Sequence, residues 1–248
     1  MKTFEFDGEK YKKSSNHQKE WGDKIINELN IKENFKILDL GCGDGRVTKE
    51  LWNIAKEGKI IGIDSSKGMI KTAKSMEEEN LQFINMDINN ITLNEKFDLI
   101  FSNAALHWVK NHFDLLNCCS NLLTENGVIK FNFAGDGNCM NFYSVIKEVM
   151  KKDEYKIYFK DFVWPWYMPK VDEYEMIINS TNKFKNISII YENADRYFQT
   201  EEELVGWIDQ PSIVPFLAQI PKELKNNFRN LVVEKMINKT RTNDGTYF

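Results

Sequence analysis

Apolar positions along this chain fall into short runs, separated by stretches in which they recur every third or fourth residue. Residues 37–40, 60–63, 81–85, 97–102 and 128–134 are compact apolar runs rich in isoleucine and phenylalanine, and they read as strands. Residues 47–55, 66–78 and 113–123 carry the helical spacing that lines up one buried face. Strand and helix in alternation predict a parallel sheet with right-handed crossovers and helices on both faces. The run at 97–102 follows polar sequence, so the crossover into it is expected to be short or irregular.

The pattern changes between about residue 138 and residue 184. Aromatic side chains concentrate in Tyr155-Lys-Ile-Tyr-Phe-Lys-Asp-Phe-Val-Trp-Pro-Trp-Tyr-Met-Pro169, interrupted by Pro165 and Pro169. Such a stretch is either a packing layer or a cap that lines an apolar pocket over the strand ends, and the two are compatible. Residues 187–199 return to strand-like sequence. Thr200-Glu-Glu-Glu-Leu reads as a capped helix start. Helical patterns follow at 213–218 and 222–239, with Pro221 at a helix entry. The expected organisation is one domain: an N-terminal helix and binding core over 1–137, an inserted cap over 138–186, and the rest of the core over 187–248.

Composition narrows the functional classes. A chain of 248 residues has room for one large domain or a domain with an insertion. Its net charge of −4 is mild, and its lysines alternate with glutamates as on solvated helix faces. A nucleic-acid groove would show a basic stripe, so no nucleic-acid partner is expected. No apolar run approaches the ~18 residues of a membrane span, and the start Met-Lys-Thr-Phe-Glu-Phe-Asp lacks the apolar core of a signal peptide. A cytoplasmic protein with no membrane partner is expected. Cys42, Cys118, Cys119 and Cys139 form no C-x-x-C pair, and no histidines stand at zinc-like spacing. Neither a metal site nor a disulfide framework is therefore anticipated.

The chemistry begins where the first strand ends. Lys36-Ile-Leu-Asp-Leu-Gly-Cys-Gly-Asp-Gly45 runs from an apolar strand into a D-x-G-x-G-x-G turn, with helical sequence after it. Glycines let a backbone take positive φ and approach a ligand closely. Asp64 closes the next strand, and a carboxylate about 20 residues beyond such a turn is the arrangement that holds a ribose diol. The ligand is accordingly a nucleoside. A dinucleotide fingerprint would be G-x-G-x-x-G, but residue 46 is arginine and the third glycine comes one position early. After the third strand, Asp87-Ile88 places an acid beside an apolar residue, able to bond an adenine amino group and cover its face.

On these residues the chain resembles the class I S-adenosylmethionine-dependent methyltransferases. Asp39-Leu-Gly-Cys-Gly-Asp-Gly45 is similar to the first motif of that family, whose backbone surrounds the methionine part of the cofactor. The resemblance implies S-adenosyl-L-methionine as donor, S-adenosyl-L-homocysteine as product, and a doubly wound, mostly parallel seven-stranded α/β sheet. It assigns Asp39, Gly41, Cys42, Gly43 and Gly45 to the cofactor turn and Asp64 to the ribose. Ser65 and Met69 fall beside the adenine, Asp87 and Ile88 match the adenine pair, and Asn103 opens the segment Ser102-Asn-Ala-Ala-Leu-His-Trp108 that closes the methionine side.

Tyr11-x-x-x-Ser15-x-x-Gln18 and Asn103-Ala-Ala-Leu-His-Trp108 resemble the small-molecule carboxylate methyltransferases, including trans-aconitate, malonyl-carrier-protein and juvenile hormone acid enzymes. The C-terminal Leu204-Val-Gly-Trp207 and Pro215-Phe-Leu are similar to the first and last of these. The resemblance puts Tyr11 on a lid over the cofactor, and Gln18 and Trp108 at the acceptor, with His107 next to them. Tyr143, Trp164 and Trp166 are candidate apolar walls and Arg196 a candidate clamp for an anion. The family's sheet ends in an antiparallel hairpin whose last strand would begin near Gly245-Thr-Tyr-Phe248, so that strand is expected to be truncated here.

The expected activity is methyl transfer to a small acid at a carboxylate oxygen, by a monomer or homodimer. A carboxylate, with a pKa near ~4, is already ionised at neutral pH and needs no base. The alternatives are an amine or hydroxyl acceptor, which would need a proton removed, and a catalytically silent cofactor-binding module.

Overall fold

The computed structural model of the protein describes residues 16–248, except the side chains of residues 16–20, 210 and 211. Its centre is a sheet of five parallel strands: β1 (Lys36–Leu40), β2 (Lys59–Asp64), β3 (Leu81–Asn85), β4 (Phe97–Asn103) and β5 (Leu123–Asn132). Their order is β3-β2-β1-β4-β5. The chain therefore winds outward from β1 in one direction, then returns and winds outward in the other. Between β1 and β4 lies the crevice that such sheets use for ligands.

The first four strands lie where their apolar runs predicted, because both faces of the sheet are covered there, while β5, expected at 128–134, begins five residues earlier and ends at Asn132 on the less buried edge. Ile37, Ile60, Leu81, Phe83, Leu99 and Phe101 face one core layer, with helices α1 (Asn16–Asn27), α2 (Arg46–Ile54) and α3 (Lys67–Ala73) packed over it. Leu38, Leu40, Ile61, Ile63, Phe97 and Ile100 face the other, under α4 (His112–Leu122). Neighbouring residues point to opposite faces, so a strand buried on both sides must be apolar nearly throughout. The crossover into β4 holds only the 3-10 turn Ile88–Asn90, as its polar sequence suggested. Ser66 caps α3 by accepting from the Met69 N–H at 3.3 Å, and Asn111 caps α4 by accepting from Asp114 N–H at 3.0 Å.

The described residues hold five strands in the sheet rather than seven. The segment 187–199, expected as a strand, contributes only an antiparallel bridge from Phe198 to Tyr247, and Tyr247 also bridges Arg241. The expected final strand is thus reduced to these bridges. Ile190 is 82% exposed and Tyr191 65%. No sheet face packs against them, so their β-forming side chains gain little from being extended.

The chain divides into two compact units. The first comprises the described residues up to 136 together with 166–191, and the second comprises 137–165 with 192–248. Of the segment 138–186, residues 138–165 thus lie in the second unit and 166–186 in the first. The second unit is built on α5 (Met140–Met150) and α9 (Lys222–Thr240), with α7 (Glu201–Trp207) and α8 (Val214–Leu217). In the first unit α6 (Val171–Thr181) packs beside α4. Aromatic rings form the interior of the second unit. Tyr155 and Phe159 lie 5.0 and 5.7 Å from Phe228, and Phe142 meets Trp207 and Phe216 at 5.7 and 6.1 Å. Thr200 caps α7 by accepting from Glu203 N–H at 3.2 Å, and α9 begins after Pro221.

One position in the sheet supports the turn that follows β1. A Cβ at Gly62, in the middle of β2, would come within 2.9 Å of both Cys42 Cβ and Phe83 Cδ1. Gly62→Ala should therefore overpack the centre, with a loss of about 1–3 kcal/mol in urea unfolding. A change below about 0.5 kcal/mol would show that the Cys42 turn does not rest on this space.

Candidate active site

The turn after β1 is shaped by three left-handed glycines, Gly41 (φ +78°), Gly43 (φ +55°) and Gly45 (φ +85°). A Cβ at Gly41 would lie 2.2 Å from Ala105 Cβ, so only glycine lets the β1 turn meet the segment after β4. The Gly41 and Cys42 N–H groups both donate to Ile63 O, at 2.8 and 3.0 Å, tying the turn to the end of β2. Gly43 is different. Nothing among the described residues lies within 4 Å of where its Cβ would be, so its backbone is open toward them. Gly45 then leads directly into α2.

Carboxylates surround this turn. Asp39 is 2% exposed and accepts from Thr48 Oγ1 at 2.7 Å. Burial pushes its pKa up to about 7 against the lowering effect of the Thr48 bond, and the Asp64 charge adds to the rise. Burial also pushes the Cys42 thiol far up, followed by the Asp64 and Asp39 charges, and keeps it neutral. Asp44 pairs with Arg46 Nε at 2.8 Å. Asp64 Oδ2 accepts from Gly43 N–H at 3.1 Å and Oδ1 from Ser66 N–H at 2.8 Å.

Around the end of β3, Asn85 Nδ2 donates to the carbonyls of Asp64 and Ser65, both at 2.9 Å. Asp87 Oδ1 accepts from Asn89 N–H at 2.8 Å and Asn89 Nδ2 at 2.7 Å. No hydrogen bond from a described residue reaches Asp87 Oδ2. Ile88 Cδ1 lies 3.6 Å from the Cβ position of Gly41, so the Asp87-Ile88 pair borders the glycine turn. Ser65 is half-buried, while Met69 is buried in α3.

At the end of β4, Asn132 Nδ2 donates to Asn103 Oδ1 at 2.9 Å. Ala104 has φ +56° and is held there by its N–H bond to Asn132 O at 2.8 Å. A left-handed alanine costs roughly 1–2 kcal/mol, and such strain concentrates at functional sites. The chain then makes a 3-10 turn, Leu106–Trp108. The His107 ring lies 5.7 Å from Trp108, and Trp108 stands edge-on to Trp166 at 5.4 Å. His107 Nδ1 is enclosed and has no hydrogen-bond partner among the described residues. Burial, then the His112 charge, lowers its pKa to about 4.

The peptide between Trp166 and Tyr167 is clamped on both sides. Its N–H donates to His107 O at 2.8 Å, and its C=O accepts from Lys110 Nζ at 2.6 Å. Asp136 N–H donates to Pro169 O at 3.0 Å, so residues 166–169 form a strap held at two places. Lys110 is half-buried, burial lowers its pKa, and none of the described carboxylates pairs with it. His112 plays a structural part. Nε2–H donates to Leu106 O and Nδ1 accepts from Tyr174 OH, both at 3.0 Å, which fixes the ring under the turn, while burial lowers its pKa against the raising effect of the Leu106 bond.

Gln18 lies on α1, one turn before Gly22. A Cβ at Gly22 would meet Val47 at 2.9 Å and Asn103 Nδ2 at 3.2 Å, so α1 packs closely on α2 and the end of β4. The Gln18 side chain and the whole of Tyr11 lie outside the described residues. Trp166 covers Trp108 as described. Tyr143 and Trp164, by contrast, pair with each other in the second unit, with rings 5.0 Å apart and the indole N–H donating to the phenol. Arg196 stacks on Phe198 at 5.4 Å. Sequence reasoning missed Thr48, Ala104 and Lys110. Their importance comes from contacts with Asp39, Asn132 and Trp166, which no local spacing encodes.

Asp39 yields a pH prediction. Its folded pKa of about 7 lies above the ~3.9 of an unfolded aspartate, so the folded state holds the extra proton between these values. Stability contributed by this group is present below about pH 4 and is lost as pH rises to about 7. Asp39→Asn cannot ionise and should flatten that slope in urea unfolding measured from pH 5 to pH 8. An unchanged slope would assign the pH dependence elsewhere.

The open backbone at Gly43, the carboxylate ending β2 and the Asp87 carboxylate together fit a nucleoside bearing an amino acid tail. A methyltransferase domain family matches residues 31–242. A putative methyltransferase of Invertebrate iridescent virus 6 is 30% identical over 75% of this chain and 71% of its own. A malonyl-[acyl-carrier protein] O-methyltransferase of Ilyobacter polytropus is 29% identical over 77% of this chain and 67% of its own. Among solved structures, the DhpI-SAM-HEP complex shares the fold, with a TM-score of 0.52 and 15% identity over 71% of this chain and 83% of that one. The chain therefore belongs to the S-adenosylmethionine-dependent methyltransferases.

Proposed function

We propose that this enzyme moves the methyl group of S-adenosylmethionine onto a carboxylate oxygen of a small organic acid. The observation that carries this reading is the state of His107, the imidazole beside Trp108. Its Nδ1 is enclosed with no hydrogen-bond partner among the described residues, and the ring is neutral, with a pKa of about 4. A general base works best with a pKa near the operating pH, so this imidazole is poorly suited to deprotonate an amine or a phenol. A carboxylate brings its nucleophile already ionised. Lys110, a half-buried ammonium two residues past Trp108, favours an anionic acceptor. The malonyl-[acyl-carrier protein] relative adds support, since a malonyl group carries a free carboxylate.

In this reading the glycine turn, Asp64 and the Asp87-Ile88 pair bind the donor. The bound cofactor supplies an electrophilic methyl on a sulfonium. The protein's part is alignment and exclusion of water, which together lower the barrier without a base. Gln18 and the Trp108 indole N–H would orient the acceptor carboxylate, and the strap that packs Trp166 on Trp108 would keep that indole in place. Tyr11 would close over the cofactor from the N-terminal side.

Two measurements test this. Calorimetry should show S-adenosylmethionine binding by the wild type, weakened about 10–100-fold by Asp64→Ala, since hydrogen bonds to charged groups contribute about 1.5–3 kcal/mol. No binding by the wild type would remove the donor assignment. Methyl transfer over a panel of acids, amines and phenols should give products only with acids. Turnover of amines or phenols that His107→Ala abolishes, with cofactor affinity intact and acids unreactive, would overturn the carboxylate reading.

A further inference from the structure

We infer that His107 is a hydrogen-bond donor, fixed as the neutral tautomer with its proton on Nε2, and that it presents this N–H to an acceptor oxygen. The inference rests on the carboxylate reading and adds a recognition residue to it.

The two ring nitrogens face different surroundings. Nδ1 is sealed from solvent and has no hydrogen-bond partner among the described residues. Nε2 also lacks a partner among the described residues but is not fully sealed, so it is the less enclosed of the two nitrogens. A neutral imidazole must place one proton on one of the two nitrogens. Putting it on Nδ1 would bury an N–H with no acceptor, and orphaned N–H groups are the rarest kind of unsatisfied buried atom. Putting it on Nε2 leaves a lone pair in the interior and turns the N–H toward the less enclosed side. The hydrogen bond made at one nitrogen normally decides the tautomer of the other. Here the missing bond decides it.

The ring is also held against protonation, and the backbone that carries it is fixed. The ionisable groups near it are the His112 imidazole, whose charge would oppose its own, the Lys110 ammonium three residues on, and the Tyr167 phenol on the strap. No described carboxylate acts on it to favour a charge. Its carbonyl is pinned by Tyr167 N–H at 2.8 Å. Ala105, two residues earlier, sits directly against Gly41 of the cofactor turn. The Nε2–H therefore belongs to a turn that borders the cofactor, next to the Trp108 indole N–H. Two neutral N–H donors side by side suit an anionic oxygen, and an acceptor that had to lose a proton would find no lone pair on Nε2 to receive it.

The chain has three histidines, so the state of each can be read by NMR on the intact protein labelled with nitrogen-15 in its imidazoles. Loss of one ring system in His107→Gln assigns its signals. The expected pattern is a protonated Nε2, a bare Nδ1 and no titration between pH 8 and pH 5. A protonated Nδ1, or a midpoint near 6.5, would overturn the assignment. In methyl transfer with acids, His107→Gln, whose amide nitrogen can take the place of Nε2, should keep the acceptor KM within about threefold. His107→Ala should raise KM at least tenfold with kcat little changed, and neither variant should alter the pH profile. A pH limb that vanishes in His107→Gln would mark a base instead. If no acid is methylated, the carboxylate reading fails, while the NMR tautomer still decides the state of His107.

Discussion

The approach of Gly41 to Ala105 is the constraint on which the site depends. The turns after β1 and β4 meet where the sheet reverses its winding order, and a single methyl at residue 41 would fall 2.2 Å from the Ala105 methyl. Because the two turns touch, the donor half of the site and the His107–Trp108 turn become neighbours. Ala104 holds a left-handed backbone to make that contact, and the bond from its N–H to Asn132 O keeps it there. Strain of about 1–2 kcal/mol is small beside the burial of the surrounding strands.

The two halves differ in electrostatics. Asp64 and Asp87 stand at the donor side, suited to a cationic, hydroxyl-rich cofactor, while Asp44 is paired with Arg46 and Asp39 is buried against Thr48. Among the described residues, the β4 side offers neutral rings and the half-buried Lys110 ammonium, which the proposed reading assigns to an anionic acceptor. In the proposed reading, an oppositely charged donor and acceptor are drawn together without a base between them. Alignment then supplies most of what an in-line displacement needs.

The strap gives the acceptor side its rigidity. One peptide group, between Trp166 and Tyr167, uses both its hydrogen-bonding atoms on the β4 turn, and Trp166 lies edge-on to Trp108. The aromatic stretch around it divides accordingly. Its earlier residues, from Tyr155 to Trp164, pack among the rings of the second unit, and Trp166 works in the first. Periodicity could not separate these fates, because an aromatic ring is equally apolar in a core and at a site.

Local pattern alone was enough for the five strands, the helices that cover them, the Thr200 cap and the Pro221 entry, since each depends on burial of nearby residues or on a cap within one turn. It was also enough for the glycine turn and Asp64, whose spacing along the chain is itself the chemical signal. It failed at residues 187–199, where a strand-like sequence found no sheet face to bury it. Lys110 on Trp166, Thr48 on Asp39 and the sealed Nδ1 of His107 were decided by tertiary structure alone. Composition names an imidazole, but its charge and tautomer follow from which neighbours the fold brings to each nitrogen. The sequence by itself determined the donor, through residues close along one strand and turn. Only the folded chain, by bringing together segments about 60 residues apart, decided what the acceptor meets.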